Sequence, residues 1–331
     1  MKWKRCPVGW KASVSVLLLS VLFITCNQPF DPRGALDRSM VVFSVLSTDR
    51  SMQFVRVDQS YMPVVYDPLS VTSDNPVTDA RVYIRAINGV YPLTDTSLMR
   101  QDTSRYKSPM KLFVLNPFRP RSGETYEVVV QSVFYGPASS SVIVPGSSTI
   151  VLSDEGGQIL DHPEQRAKSQ QISFSIQMTG VSRGYVGKLL LYYDVLKSTG
   201  WVEERCEVPL TSADSSNFTM EYAVYPQLKS TPPTSLATEF FKNGFYQSTI
   251  NVVNSRYSSN RVLFKWATFV VLQADKNLFE YFASTHASYD PYSTRLDEPL
   301  VSSLNGGIGF VGAYSVDSLV RLLPENFWGN R

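Results

Sequence analysis

The sequence is poor in the side chains from which most active sites and metal centres are built. Its 331 residues include only two histidines and three cysteines, and just 18% of them are charged. Zinc and related metals take nitrogen and sulfur ligands, so we expect no metal site and no cofactor. The formal net charge of +2 lacks the strong basic bias of a nucleic-acid surface, so we expect no nucleic-acid partner.

Hydrophobic residues, in contrast, are abundant enough to support folded domains. They make up 43% of the chain, and aromatic residues make up 12% of it. This content can bury enough apolar surface to offset chain entropy, which excludes wholesale disorder. A chain of 331 residues exceeds the usual size of one core, so we predict two domains.

The N-terminus has the layout of an export signal that ends in an anchor. Residues 1–11 carry four cations and no acid, and an apolar run follows from Val14 to Ile24. A spanning helix needs about 20 apolar residues, so this run favours a cleaved signal peptide over residues 1–25. Phe23-Ile24-Thr25-Cys26 resembles a bacterial lipobox, so we predict a lipidated Cys26 and a polar tether over residues 26–37. The alternative is an ordinary signal peptide with an incidental Cys26.

Removal of the signal peptide changes the chemistry of the chain. The mature chain loses four cations and no acid, and becomes mildly acidic. Cys6 is lost and Cys26 is acylated, which leaves Cys206 as a single free thiol. We therefore predict an exported product without an internal disulfide, whose domains are stabilised by their hydrophobic cores.

Alternation of apolar and polar residues dominates the mature chain. Ala80–Ala86, Ile172–Met178 and Phe218–Val224 each place apolar side chains on one face and polar ones on the other. This period of two is typical of antiparallel strands with one face on a core. Asn88-Gly89 between two such segments predicts a hairpin. Further predicted strands are Met40–Leu46, Met52–Val57, Lys111–Leu115, Thr125–Val133, Ser140–Val144, Lys188–Leu196, Trp201–Leu210, Ser248–Val253 and Arg261–Leu272.

The predicted fold class is all-β, with one helix. Turn signals every 8–12 residues indicate an immunoglobulin-like β-sandwich over residues 38–147. Pro145 and Gly146 interrupt strand pairing, which places the domain boundary at Val144–Ser148. Residues 148–331 are predicted to form a second β-rich antiparallel domain. It carries one amphipathic helix over residues 275–287, with Asp275 as the N-cap.

The residues that could support catalysis are few and scattered. His162 and His286 are the only histidines, so a Ser-His-Asp or zinc site would need one of them. The sequence contains neither a G-x-S-x-G nor an H-E-x-x-H motif. A triad is defined by geometry, so a hydrolase stays open. We nevertheless predict that the protein is not an enzyme, that each histidine is a surface or helix-end residue, and that no residue is catalytic.

Three other patterns receive structural interpretations. Gly307–Gly312 has the spacing G-x-G-x-x-G, but the chain ends too soon afterwards for a dinucleotide-binding unit. We interpret these glycines as permitting a bulge or a close approach of backbones. Glu203 and Glu204 are neighbours on a predicted strand and therefore point to opposite faces. Asp154-Glu155 is interpreted as part of a solvated turn.

Four segments together resemble a known family. Val77–Val82, Gly123–Val130 and Val142–Pro145 resemble three strands of lipoprotein β-sandwich domains. Asn305–Ser315 is similar to the glycine-rich ending of the DUF4249 family, uncharacterised lipoproteins of Bacteroidetes and related bacteria. The resemblance implies an envelope lipoprotein, with a gene often near those of TonB-dependent outer-membrane receptors. It carries no catalytic residue across.

These observations lead to an expected function. We expect an outer-membrane lipoprotein, anchored through Cys26, that acts as a non-enzymatic binding or assembly module. The resemblance suggests a TonB-dependent receptor as its partner; its ligand-binding residues are unknown. Surface glycan binding is one alternative, because exposed aromatic rings can stack on sugars. Tyrosines also cover half-buried sheet surfaces, which is the simpler interpretation of Tyr192, Tyr193, Tyr246 and their neighbours. An adhesin or pilus-type component is the other alternative, and it predicts an exposed edge strand.

Overall fold

The computed structural model describes residues 37–61, 70–164, 170–209, 228–257, 261–286 and 302–325, together with Phe327. The predicted signal peptide, Cys26 and the strand predicted over Phe218–Val224 lie outside these residues. The chain divides into two units, Met1–Arg38 and Ser39–Arg331. All the helices and strands named below belong to the second unit.

Strands dominate this unit, as the alternation predicts, and three helices accompany them among the described residues. In chain order the elements are β1 (Met40–Ser47), β2 (Gln53–Gln59), β3 (Arg81–Ala86), β4 (Gly89–Pro92), β5 (Thr94–Leu98), β6 (Met110–Leu115), β7 (Thr125–Ser132), β8 (Gly136–Ile143), β9 (Thr149–Leu152), α1 (Asp154–Asp161), β10 (Gln171–Gln177), β11 (Gly184–Lys197), β12 (Gly200–Val208), β13 (Lys229–Ser230), β14 (Leu236–Lys242), α2 (Asn243–Arg256), β15 (Val262–Ala274), α3 (Lys276–His286) and β16 (Ile308–Leu322).

The strands form three sheets. The largest has nine strands, in the order β12-β11-β15-β16-β1-β2-β6-β5, with β13 paired to β11. A second sheet has the order β4-β3-β7-β8, and a third has the order β14-β10-β9. Each smaller sheet shares a core with part of the large one, so the described part of the chain is a layered all-β fold.

The first of these cores has the predicted sandwich arrangement. Val42 and Val57 from the large sheet meet Ile84 and Val128 from the β4-β3-β7-β8 sheet, and all four are almost completely buried. Each lies on the apolar face of an alternating strand, so the burial follows the sequence period. The hairpin predicted at Asn88-Gly89 is present, with Ala86 paired to Gly89.

The second core lies under the β14-β10-β9 sheet. Phe174 stacks on Phe269 with ring centroids 4.0 Å apart, so β10 packs directly on β15. Helices α1 and α2 contribute Ile159 and Ile250, both fully buried. The predicted boundary at Val144–Ser148 falls between the two cores.

The large sheet crosses that boundary. β16 lies beside β1 in parallel register, with Val41 opposite Ile308 and Ser47 opposite Tyr314. A Cβ at Gly309 would lie 2.2 Å from the carbonyl oxygen of Val42, and the φ of Gly309 is +111°. The glycine therefore permits the close backbone approach interpreted from the Gly307–Gly312 pattern.

Two predictions about secondary structure are wrong. Ser248–Val253, predicted as a strand, lies inside α2, because Tyr246, Thr249, Ile250 and Val253 are buried at helical rather than alternating spacing. This helix and α1 also contradict the expectation of a single helix.

The helix predicted over residues 275–287 is confirmed as α3. Asp275 caps it, since Oδ1 accepts a hydrogen bond of 3.0 Å from the Leu278 N–H. None of the helices in the described parts of the chain is long and apolar enough to cross a membrane.

Candidate binding groove

A groove of 680 Å³ lies between the edge of the third sheet and the last part of β16. Three elements line it: the edge strand β9, the first helix α1 and the C-terminal part of β16. Its volume is in the range of ligand-binding pockets. The lining residues are Ile150, Val151, Leu152, Ser153, Asp154, Gly157, Gln158, Asp161, Leu319, Val320 and Arg321.

β9 presents unpaired main-chain groups on one wall. In the described residues it pairs only with β10, so its other side is an edge. The Ser153 N–H donates to the Ser173 carbonyl at 3.0 Å, continuing the β9–β10 register. In an antiparallel ladder the bonded pairs alternate, so the N–H and C=O groups of Ile150 and Leu152 point away from β10.

Within the part of the chain that the structure describes, β16 supplies the second free edge. Its pairing with β1 ends at Tyr314, whereas its pairing with β15 continues to Leu322. The Leu323 N–H donates to the Lys265 carbonyl at 3.0 Å in the same register. The main-chain groups of Val320 therefore point away from β15. Two unpaired edges thus line one groove.

Polar contacts close the groove at its two ends. At one end Asp317 Oδ2 accepts hydrogen bonds from the Ser148 N–H (2.6 Å) and hydroxyl (2.9 Å). At the other end Arg321 forms a two-pronged ion pair with Asp161 of α1, with Nε 3.1 Å from Oδ1. This pair raises the pKa of the Arg321 guanidinium and ties α1 to β16.

The N-terminus of α1 is fixed by its own sequence. Ser153 is the N-cap, and its hydroxyl accepts from the Gly156 N–H at 3.0 Å and from the Ser173 hydroxyl at 2.8 Å. Asp154 and Glu155 lie in the first turn, where carboxylates favour the helix dipole. The interpretation of these two residues as a solvated turn is therefore wrong.

The groove combines an apolar floor with main-chain groups in strand geometry. Ile150, Leu152 and Leu319 pack against the second core and form an apolar floor. The walls supply main-chain donors and acceptors in strand geometry. The lining residues include no histidine or cysteine, and the Ser153 hydroxyl is engaged as a cap.

The two histidines lie apart from this lining. His162 follows α1 directly, and its half-exposed ring lies 3.6 Å from Glu164 Oε1. His286 is the last residue of α3. Within the described ranges no group of three His, Cys, Asp or Glu side chains could hold a metal ion.

Cys206 is a free, buried cysteine on β12. Burial raises the pKa of its thiol to about 12, so it is inert at neutral pH. The neighbouring carboxylates Glu203 and Glu204 point to opposite faces, as predicted. Glu203 lies 3.3 Å from Lys265, whereas Glu204 accepts from Lys197 and the Tyr257 hydroxyl, each at 2.5 Å.

The tyrosines considered for glycan binding pack against other protein groups. Tyr193 and Tyr246 are buried in the second core. On the opposite face of the large sheet Tyr192 stacks on Trp266, with centroids 5.4 Å apart. The Lys265 ammonium lies 4.7 Å from the same indole.

Sequence reasoning missed the groove because it missed β9, α1 and β16. A local signal exists for the first two: Thr149–Leu152 alternates, and Ser153-Asp154-Glu155 is a helix-start pattern. No local sequence pattern indicates that the end of β16 has an unpaired edge.

None of the curated proteins matches the chain significantly. One family model, described as a domain of unknown function (DUF4249), matches residues 28–319, which include most of both cores. The chain belongs to the DUF4249 family.

Proposed function

We propose that this protein is a non-enzymatic module of the bacterial outer membrane, anchored through Cys26, that binds an extended segment of a partner protein. The observation that carries the proposal is the groove between the free edges of β9 and β16. Added strands gain affinity from main-chain hydrogen bonds and specificity from alternate side chains. A receptor in the outer membrane is the partner class that the family resemblance suggests.

The groove makes a prediction that needs no partner. Amides of Ile150, Leu152 and Val320 point into the groove, whereas those of Val151 and Leu319 are bonded within their sheets. In residue-resolved hydrogen–deuterium exchange the first three amides should exchange quickly and the other two slowly. Equal protection of both sets would contradict the free edges.

Blocking the groove tests the binding role. Gly157 lines the groove, and a Cβ there would meet only Leu152 within 4 Å. A G157L substitution should therefore fill the groove with little strain. G244L is the matched control, because Gly244 is also helical and a Cβ there would meet nothing within 4 Å.

The assay is photo-crosslinking in living bacteria from a reactive side chain at Val151, which is 57% exposed. We expect crosslinks to one contiguous segment of an outer-membrane protein, lost in G157L and retained in G244L. Unchanged crosslinks in G157L would refute the groove as the site. Crosslinks between two copies of the chain would instead favour the pilus-type assembly alternative.

The anchor has its own test. A C26A substitution should abolish labelling by a palmitate analogue and release the protein from membranes, because several acyl chains provide the stable attachment. Unchanged labelling would refute the anchor and leave the groove proposal in place.

A further inference from the structure

The turn between β7 and β8 exposes two hydrophobic residues side by side. Val133 is 89% exposed and Phe134 is 82% exposed. They begin the three-residue loop Val133–Tyr135, which is followed by Gly136 with a φ of +75°. Glycine adopts this left-handed conformation without strain at the point where the chain enters β8. We call Val133–Tyr135 the hairpin tip.

The hairpin tip is held in place by protein groups. The Asp79 carboxylate accepts from the Val133 N–H at 2.7 Å and from the Ser132 hydroxyl at 2.9 and 3.0 Å. The Ser132 hydroxyl accepts from the N–H groups of Phe134 (3.1 Å) and Tyr135 (3.2 Å). All three main-chain N–H groups of the tip are therefore satisfied without water. Satisfied N–H groups lower the cost of moving the loop out of water.

The hairpin tip lies beside the point where the chain enters this unit. The Tyr135 hydroxyl donates to Gln59 Oε1 at 2.5 Å. Gln59 is the register partner of Met40, the first residue of β1. The carbonyl of Ser39, the residue before Met40, accepts a hydrogen bond from the Ser60 N–H at 2.9 Å. The start of the folded unit and the exposed tip are thus at the same end of the sandwich.

Chain length then limits how far this end can lie from the bilayer. Thirteen Cα–Cα steps join Cys26 to Ser39, which span at most about 45 Å. The tip is at the end of the unit where this tether attaches, so with Cys26 acylated it is within reach of the bilayer. We propose that Val133 and Phe134 insert into the lipid interface; this inference rests on the anchor proposed above.

The chain offers a matched control at the opposite end of the same sheet. Ile87, in the β3–β4 turn, is 94% exposed. β3 pairs with β7 so that Arg81 lies opposite Gln131, near the tip, and Arg85 lies opposite Glu127. Ile87 is six residues after Arg81 along β3. At about 3.3 Å per strand residue, Ile87 therefore lies about 20 Å from the end of the sheet that carries the tip. A hydrophobic residue there should stay in water.

The experiment uses spin labels on the full mature lipoprotein. F134C and I87C are labelled with a nitroxide after purification from bacterial membranes; Cys206 stays unlabelled because its pKa is about 12. The proteins are reconstituted in vesicles of phosphatidylethanolamine and phosphatidylglycerol. Power saturation measures access to oxygen and to a water-soluble nickel chelate.

We expect the F134C label to lose access to nickel and gain access to oxygen, while the I87C label stays accessible to nickel. Equal nickel access at both sites, in protein that is acylated and floats with the vesicles, would overturn this inference alone. Absence of an acyl group on Cys26 would overturn the anchor and this inference together. Protection of F134C in native membranes but not in vesicles would assign the tip to a protein partner and also overturn it.

Discussion

Asp275 joins α3 to the large sheet, and its replacement should measure that connection. Its Oδ1 accepts from the Leu278 N–H at 3.0 Å and from the Ala313 N–H at 2.9 Å. Its own N–H donates to the Ala313 carbonyl at 2.9 Å. The Asp275 carbonyl accepts from the Phe279 N–H in α3, so it does not accept from the Ala313 N–H as it would in a continued β15–β16 ladder. The Asp275 carboxylate takes its place as the acceptor for Ala313.

The magnitude follows from the two bonds that D275A removes. Loss of an N-cap costs about 1 kcal/mol, and an unsatisfied buried N–H at Ala313 costs about 1–3 kcal/mol. D275A should therefore lower the free energy of unfolding by about 2–4 kcal/mol. D275N keeps the acceptor oxygen and should stay within about 1 kcal/mol of the wild type.

The two variants should also differ in pH dependence. Burial raises the pKa of Asp275, although hydrogen bonds from Ala313, Leu278 and Asn277 oppose the rise. Its folded-state pKa lies above the unfolded value, so its contribution to stability is full below about pH 3.9 and decreases as pH rises through the raised pKa. D275N removes this dependence.

The assay is urea unfolding of the mature protein, followed by circular dichroism at several pH values. A D275A variant within about 0.5 kcal/mol of the wild type would refute the argument. So would a D275N variant that loses as much stability as D275A, because the amide keeps the acceptor.

Three further predictions concern backbone space and burial. G157A should stabilise the protein by about 0.5–1 kcal/mol, since alanine is the better helix residue. G156A should destabilise it, because its Cβ would lie 2.8 Å from Ser153 Oγ. Melting temperatures of the two variants that shift in the same direction would contradict this contrast. G309A should destabilise the β1–β16 pair by more than about 3 kcal/mol through strain and a clash with a carbonyl, and normal near-ultraviolet circular dichroism and stability would contradict it. Cys206 should resist thiol reagents in the native protein at pH 7, where its thiolate fraction is on the order of 10⁻⁵. It should become reactive once urea unfolds the protein. Fast labelling of the native protein would contradict its burial.

Local patterns predicted much of the fold where one physical cause dominates. β3 alternates Val82 and Ile84 inward with Arg81 and Arg85 outward, as expected of a strand with one face on a core. Asp275 marks the start of α3 because a carboxylate oxygen can satisfy free helix N–H groups.

Local patterns failed where preferences conflict. Ser248–Val253 is rich in β-branched residues and favours a strand, but tertiary packing buries one helical face of it. The nucleophile and metal sites considered for His162 and His286 depend on partners that the sequence does not place.

The sequence by itself determined which face of each alternating strand is apolar and where α3 starts. Those properties depend on neighbours within a few residues. Only the tertiary structure decided that β16 lies beside β1 and β15, that its last residues have a free edge facing β9, and that the hairpin tip lies beside Met40. Main-chain groups are identical in every residue, so whether they are paired or free depends on strands that are distant in sequence.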